Sequence, residues 1–486
     1  MELGLAEIGT VPERYTREQF QLIRDEPTYA VIKRQAPAGD MQEIDGWSRS
    51  FYSVDEHLKA IMYLQKPLLQ EPNDGYWRQA KESVLNEFRS FQRVKSLQFE
   101  DQFDEVPFES ASAAGYGYSG KKGEGNNLNR AKSIANAAVR TYKEQLVDQG
   151  LQYAINQLAM NSTPDVAFTR TQLAKLPSIK VRNVYGEAFH YILIEGLSAA
   201  PLLEAFKRGD TFYFIGKDPT VHVPILLTEM NTVGDWFTIL DWSAFDASVQ
   251  LWEIDHAFAC LESILDFPSE LSEVAFKVSK ESFKRRKLAS PDGRLFMRTG
   301  GIPSGSYYTN IVGSIVNYTR IKFICAKLGY EIKRCRVQGD DSCTRIMSEF
   351  KPDIWAISQV GVPFGWTLKP EKCLITSRLE EVTFLGRGVL RGYNVRERLK
   401  VLRLMCFPEY EVDDPQISTA RVHAIMKDAG YSDVLYDSIY GAMFRLYGEA
   451  QQVPSHLLTY FEKQDFFGCK YVKCLRFIKT IFQMKM

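Results

Sequence analysis

Four carboxylates in two short stretches are the groups of this chain best placed to do chemistry. In TILDWSAFD, Asp241 stands where an apolar, β-prone run ends, and Asp246 follows five positions on. In KRCRVQGDDSCTRIM, Asp340 and Asp341 occupy a Gly-Asp-Asp turn between two strand-like arms, which is a hairpin signal. Gly339 supplies a turn conformation that costs other residues more. Adjacent carboxylates at such a turn repel each other unless a cation is present. Two carboxylate-bearing strand ends side by side would hold hard cations through oxygen. Mg²⁺ is the natural occupant because it keeps water and substrate phosphate in its shell, and Mn²⁺ takes the same kind of site. Two such ions, about 3.5–4 Å apart, would stabilise both the attacking and the leaving oxygen of an in-line phosphoryl displacement. Alone, each pattern is weak, since solvated β-turns favour Gly and Asp anyway.

The elements between the two acidic stretches add specificity. RTGGIPSGSYYTN carries Gly300, Gly301, Pro303 and Gly305 just ahead of a helical pattern. Tyr308, Ile311, Val312, Ile315, Val316 and Thr319 recur at helical spacing, which predicts a helix ending near Gly329. A glycine-rich turn lets backbone approach a ligand closely, and a helix start offers unpaired amides. Thr309, Gly313 and Asn317 form a small and polar stripe opposite the apolar face, while Ser304 and Thr309 could hydrogen-bond a hydroxyl or Asp246. Capping and polar surface would explain this element by itself. The order of strand-end DxxxxD, glycine-rich turn into a helix, and strand–GDD–strand hairpin has few accidental matches.

Around this centre the chain reads as helical on both sides, which predicts an α+β fold with helices packed on a mostly antiparallel sheet. A Gly-, Ser- and Asn-rich segment, residues 111–130, predicts a loop, either a linker or one that touches phosphate through amides and lysines. The tail FFGCKYVKCLRFIKTIFQMKM sets Lys470, Lys473, Arg476, Lys479 and Lys485 among aromatics; a phosphate-touching helix and a buried amphipathic one fit it almost equally. At 486 residues the chain is long enough for about three domains. Its 60 Lys+Arg balance 60 Asp+Glu, which removes the simple argument for nucleic-acid binding from a basic domain without excluding a basic channel. The eight cysteines all follow residue 259 and form no CxxC, so zinc has little support. With no apolar run near membrane-span length and no signal-peptide pattern at the start, the expectation is a soluble intracellular protein without a membrane segment.

LDWSAFDASV, GGIPSGSYYTNIVGSIVN and VQGDDS resemble, in order and spacing, motifs A, B and C of viral RNA-dependent RNA polymerases. The SGSYYTxxxxSxxN form is most similar to the partitivirus-like polymerases of small segmented double-stranded RNA viruses. The resemblance implies a right hand with an RRM-like antiparallel palm, helical fingers and a helical thumb. Its expected divisions are an N-terminal segment 1–60 bridging fingers and thumb, fingers 61–195, palm 196–255, a fingers insertion 256–299, palm 300–395 and thumb 396–486. It also implies two Mg²⁺ ions, RNA template and product, ribonucleoside triphosphates and a viral capsid protein as partners, with the host cytoplasm and the virion as location.

Carried over residue by residue, Asp241 and Asp340 match the metal-binding aspartates and Asp341 the supporting carboxylate of the turn. Asp246, with Ser304, Gly305 and Thr309, matches the group that senses the ribose 2′-hydroxyl. Gly313 departs from the Asn or Asp of many relatives; Asn317 one turn later could substitute, or Gly313 could serve packing. PSIKVRNVYGE resembles motif F, which makes Lys180 and Arg182 candidates for the triphosphate. GWTLKPEKC resembles motif D, with Lys372 first and Lys369 second as proton donor to pyrophosphate. VTFLGRGV resembles motif E. SAAGYGYSGKK resembles motif G and makes Gly117, Ser119, Lys121 and Lys122 template-binding candidates. The competing readings are a reverse transcriptase, a non-catalytic RNA-packaging or capsid protein, and a two-metal nuclease. Asp246 in place of a bulky aromatic speaks against the first. A packaging shell has no use for clustered carboxylates, and a nuclease none for the glycine-rich turn between them.

Overall fold

A computed structural model describes residues 2–14 and 18–452. The basic tail with Lys470 to Lys485 lies outside the described residues, as do Cys469 and Cys474. The chain forms two compact units: residues up to 18, 52–170 and 181–389 make the first; 19–51, 171–180 and 390 onward make the second.

The first unit is centred on a four-stranded antiparallel sheet. Its strands are β1 (Trp236–Ile239), β2 (Glu331–Gln338), β3 (Asp341–Met347) and β4 (Leu374–Thr376), in spatial order β2-β3-β1-β4. Aromatic and β-branched residues in WFTI favour the extended form. The β2–β3 hairpin closes with Gln338 opposite Asp341, and Gly339 takes a φ of +62° at the turn. Behind the sheet runs helix α1 (Thr309–Leu328), which ends at Gly329 in the left-handed region as the spacing predicts. Ile311, Val312, Ile315 and Val316 join Val337, Ile346 and Ile375 in the largest core. The helix passes through that core rather than over it, so Ser314, Asn317 and Arg320 on its polar side are buried as well. Arg320 is neutralised there by Glu253, at 2.7 Å, and lies over the Trp366 ring.

The same unit holds a five-stranded sheet in the order Leu5–Thr10, Arg294–Thr299, Arg285–Ala289, Asp165–Thr171, Val181–Gly186. The pairing of Asp165–Thr171 with Arg285–Ala289 is parallel. Helices Asn127–Gln149, Leu151–Met160, Phe189–Arg208 and Glu270–Lys284 pack on one another through Ala135, Val139, Ala154, Leu193 and Val278. The second unit joins Glu26–Gln35 to Arg398–Cys406, Pro415–Asp428 and Val434–Tyr447 around Ile32, Leu402, Met405, Val422 and Ile439. Inside it Arg421 pairs with buried Asp25 at 2.7 Å. Mixed helix and sheet around an antiparallel centre is the expected α+β class. Among the described residues no helix is long and apolar enough to cross a membrane.

Candidate active site

Strand register brings the acidic stretches together. Thr238 pairs with Thr344 and Trp236 with Ile346, antiparallel. Continued past the last pair, this register brings residue 241 level with residue 341, beside the tip that carries Asp340. Asp340 and Asp341 are exposed and Asp241 half-exposed, so their carboxylates open to solvent at the end of the sheet. Between Asp241 and Asp246 the chain reverses at Ala244, whose φ of +46° is costly for an L-residue by about 1–2 kcal/mol. Asp246 then lies in the field of Asp340 and accepts a hydrogen bond from Ser304 Oγ at 2.8 Å.

Asp246 is open to water on one side and densely surrounded by protein on the other. That crowding and the Asp340 charge push its pKa up to about 6, against the pull of the Ser304 hydroxyl and Arg182. Arg182, on Val181–Gly186, is thus within electrostatic reach of the site. Gly305 lies so close to the Tyr185 carbonyl that a Cβ would overlap it, and Tyr185 N–H donates to Ser304 O at 2.9 Å. The close approach this glycine permits is therefore to the neighbouring strand. Thr309 Oγ1 donates to Pro303 O at 2.5 Å and accepts from Gly305 N–H at 3.3 Å, which closes the glycine-rich loop on itself.

The geometry bears on three of the expected positions. Asn317 is fully buried: its Nδ2 donates to the carbonyls of Gly339 and Asp340, both at 2.9 Å, and its Oδ1 accepts from Trp242 Nε1. Gly313 packs beside the turn: a Cβ there would stand 3.3 Å from the end of the Ile302 side chain and at an ordinary contact distance, 3.6 Å, from Gly339 Cα. Of the two lysines in GWTLKPEKC, Lys369 rather than Lys372 meets the site. Its Nζ stands 3.2 Å from Asp241 Oδ1 and its N–H donates to Asp241 O, while Lys372 is exposed on the following 3-10 turn.

The 111–130 segment is a loop, but an internally bonded one. Ala113 pairs with Lys121, and Asn127 Nδ2 donates to the carbonyls of Ser119 and Lys121. Lys122 turns inward, its Nζ on Ser112 Oγ at 2.6 Å and Ala113 O at 3.0 Å, and burial lowers its pKa. Gly117, Ser119 and Lys121 face solvent. VTFLGRGV forms a tight turn in which Phe384 and Arg387 pair.

Sequence reasoning missed the residues that hold the site from behind. Ser314 Oγ accepts from Gly339 N–H at 2.8 Å, and Tyr213 OH donates to Asn310 Oδ1 at 2.7 Å. Glu195 accepts from Ser306 Oγ and Tyr307 N–H, which anchors the glycine-rich loop from the helix Phe189–Arg208. Ser314 and Asn317, three apart on one helix face, were the available signal. Glu195 is 111 residues from its partner and left none.

Among the described residues no three His, Cys, Asp or Glu side chains form a ready-made metal cage. The donor set, exposed carboxylates at two strand ends, suits a hard cation that takes one or two carboxylates and completes its shell with water and phosphate. The Lys369 ammonium on Asp241 indicates that this carboxylate favours positive charge.

An antiparallel palm with acidic residues at a strand end and on a hairpin tip, backed by the glycine-rich loop and helix, defines a nucleic-acid polymerase class. The viral RNA-dependent RNA polymerase family matches residues 23–443, and the chain belongs to that family. The RNA-directed RNA polymerase of Atkinsonella hypoxylon virus is 24% identical over 319 residues, 55% of this chain and 48% of the relative. That of White clover cryptic virus 1 is 29% identical over 222 residues, 38% of this chain and 34% of the relative. The chain therefore spans about half, or less, of the length of these relatives. A Sicinivirus 3Dpol RNA-dependent RNA polymerase superposes with a TM-score of 0.69 at 15% identity, covering 94% of this chain and 98% of that one. An insertion-loop deletion mutant of a human picorbirnavirus RNA-dependent RNA polymerase gives 0.64, also at 15% identity, with 87% of each chain covered. These structures share the fold. Polymerases of this family generally use divalent metal ions.

Proposed function

We propose that this chain is an RNA-directed RNA polymerase that adds ribonucleotides to an RNA 3′ end for transcription and replication of a viral genome. The observation that carries the reading is the meeting of Asp241 and the Asp340–Asp341 turn with the Asp246–Ser304 pair, a metal-type carboxylate site next to a hydroxyl-sensing one. Asp241 and Asp340 are the residues to hold two Mg²⁺ ions, or Mn²⁺, with Asp341 in support. When bound, the ions would activate the 3′-hydroxyl and neutralise the leaving pyrophosphate. Asp246 accepts the ribose 2′-hydroxyl as it accepts Ser304. Arg182 offers its planar fork to the triphosphate, and the exposed Gly117, Ser119 and Lys121 fit contacts with the template strand. A capsid protein is a fitting partner for such an enzyme inside a virion. Nucleotide incorporation on a short RNA template, with Mg²⁺ and four ribonucleotides, tests the reading. RNA binding by the folded protein without any synthesis under Mg²⁺ or Mn²⁺ overturns it.

Two results are expected if this is right. Asp246→Ala loses one hydrogen bond to a charged acceptor, worth about 1.5–3 kcal/mol, so preference for ribo- over deoxyribonucleotides falls about 10–100-fold. Competition of NTP against dNTP measures it, and an unchanged ratio removes Asp246 from sugar selection. Lys369→Ala slows single-turnover incorporation by about 10²-fold or more, as loss of a general acid does. Lys372→Ala stays within a few-fold of wild type; the reverse ranking restores Lys372 as the donor.

A further inference from the structure

We infer that Asn317 is a positioning residue which locks the hairpin tip to the Asp241 segment and so sets the metal affinity of the pair. The inference rests on the polymerase reading for its use, but its geometry stands apart. Asn317 Nδ2 donates to two successive carbonyls of the tip, Gly339 O and Asp340 O, both at 2.9 Å. Its Oδ1 accepts from the indole of Trp242, the residue next to Asp241, at 2.9 Å. One buried amide thus spans the backbone that carries Asp340 and the residue that follows Asp241. From the same helix, Ser314 Oγ takes the Gly339 N–H at 2.8 Å and returns its own proton to Asn310 O at 2.7 Å.

The arrangement has a physical task. Asp340 repels Asp246, and neighbouring Asp341 adds to the charge on the tip, so an unrestrained turn would drift outward. The clamp holds the tip by its main chain and leaves the carboxylate side chains exposed and free to bind. Both Asn317 amide protons are committed inside the core, and its oxygen, which accepts from Trp242, is buried with the rest of the side chain. Partners behind metal ligands typically account for 10–100-fold in metal affinity.

The test is Mn²⁺ binding to the full chain without nucleotide, followed by electron paramagnetic resonance, beside RNA synthesis at varied Mn²⁺. Asn317→Leu, close in size but without polar atoms, is expected to weaken Mn²⁺ binding by about 10–100-fold. Trp242→Phe and Ser314→Ala, which each remove one bond to the Asp241 segment or the tip and leave Asn317 in place, are expected to weaken it less, and RNA binding is expected to hold in all three. Thr319→Val is the control: buried on the same helix, its hydroxyl bonds only Ile315 O. Wild-type Mn²⁺ affinity in folded Asn317→Leu overturns the inference, as does an equal loss in Thr319→Val. If Asn317→Leu fails to fold, unchanged affinity in both Trp242→Phe and Ser314→Ala overturns it. A wild-type protein whose Mn²⁺ affinity falls in Asn317→Leu as expected but that makes no RNA overturns the polymerase reading instead.

Discussion

Asp340→Asn is expected to leave the protein folded and to lower RNA synthesis by about 10³-fold or more. Losing about 4 kcal/mol of metal-borne transition-state stabilisation corresponds to that factor. The folded state should be indifferent because Asp340 is exposed at the hairpin tip and the turn is held through its backbone by Asn317 and Ser314. Exposed substitutions of this kind usually stay within about 0.5 kcal/mol, and removing a charge near Asp246 relieves repulsion. Melting temperature and template-complementary product, measured on the same preparation, separate the two effects. Synthesis within tenfold of wild type by folded Asp340→Asn would remove this residue from the metal site.

The carboxylates were legible in the sequence because each lies on a local pattern: an apolar strand that stops at Asp241, a glycine turn before Asp340, and a helix whose apolar repeat ends at Gly329. Their meeting was not local, yet two short strands with turn-bound carboxylates leave few arrangements. What escaped were decisions made by depth. Asn317 read as a polar face residue because periodicity assumes a helix with one wet side, and from residue 311 to 321 this helix has none. Lys372 and Lys369 differ by less than one turn in sequence, and a 3-10 bend decides which one meets Asp241. Lys122 belongs to a basic pair by composition, but its loop bonds it inward. Longest-range of all is the charge cluster behind the glycine-rich loop, whose members come from four separate segments and share no spacing.

Within that cluster, Arg286→Met is expected to destabilise the protein by about 3–5 kcal/mol, the cost of removing one partner from a buried ion pair. Arg286 has no exposed surface and pairs with Asp165 at 3.0 Å, with Glu187, and with Glu195 at 3.9 Å, all equally buried. Burial pushes all three carboxyl groups upward, and the Arg286 charge is what opposes it. Without that charge the carboxyls hold protons more firmly when folded than when unfolded. The folded state then binds more protons, so stability falls as pH rises toward the raised folded values. The deficit of Arg286→Met should therefore be larger at pH 8 than at pH 5 in chemical denaturation. An equal deficit at both, or one under about 1 kcal/mol, which is ordinary for a point substitution, would overturn this account. The consequence reaches the site through Glu195, which holds Ser306 and Tyr307 next to the Ser304 that touches Asp246. A Glu195 that keeps its proton loses acceptor strength toward both. Folded Arg286→Met should accordingly show a raised KM for ribonucleotides at conditions where its metal dependence is unchanged.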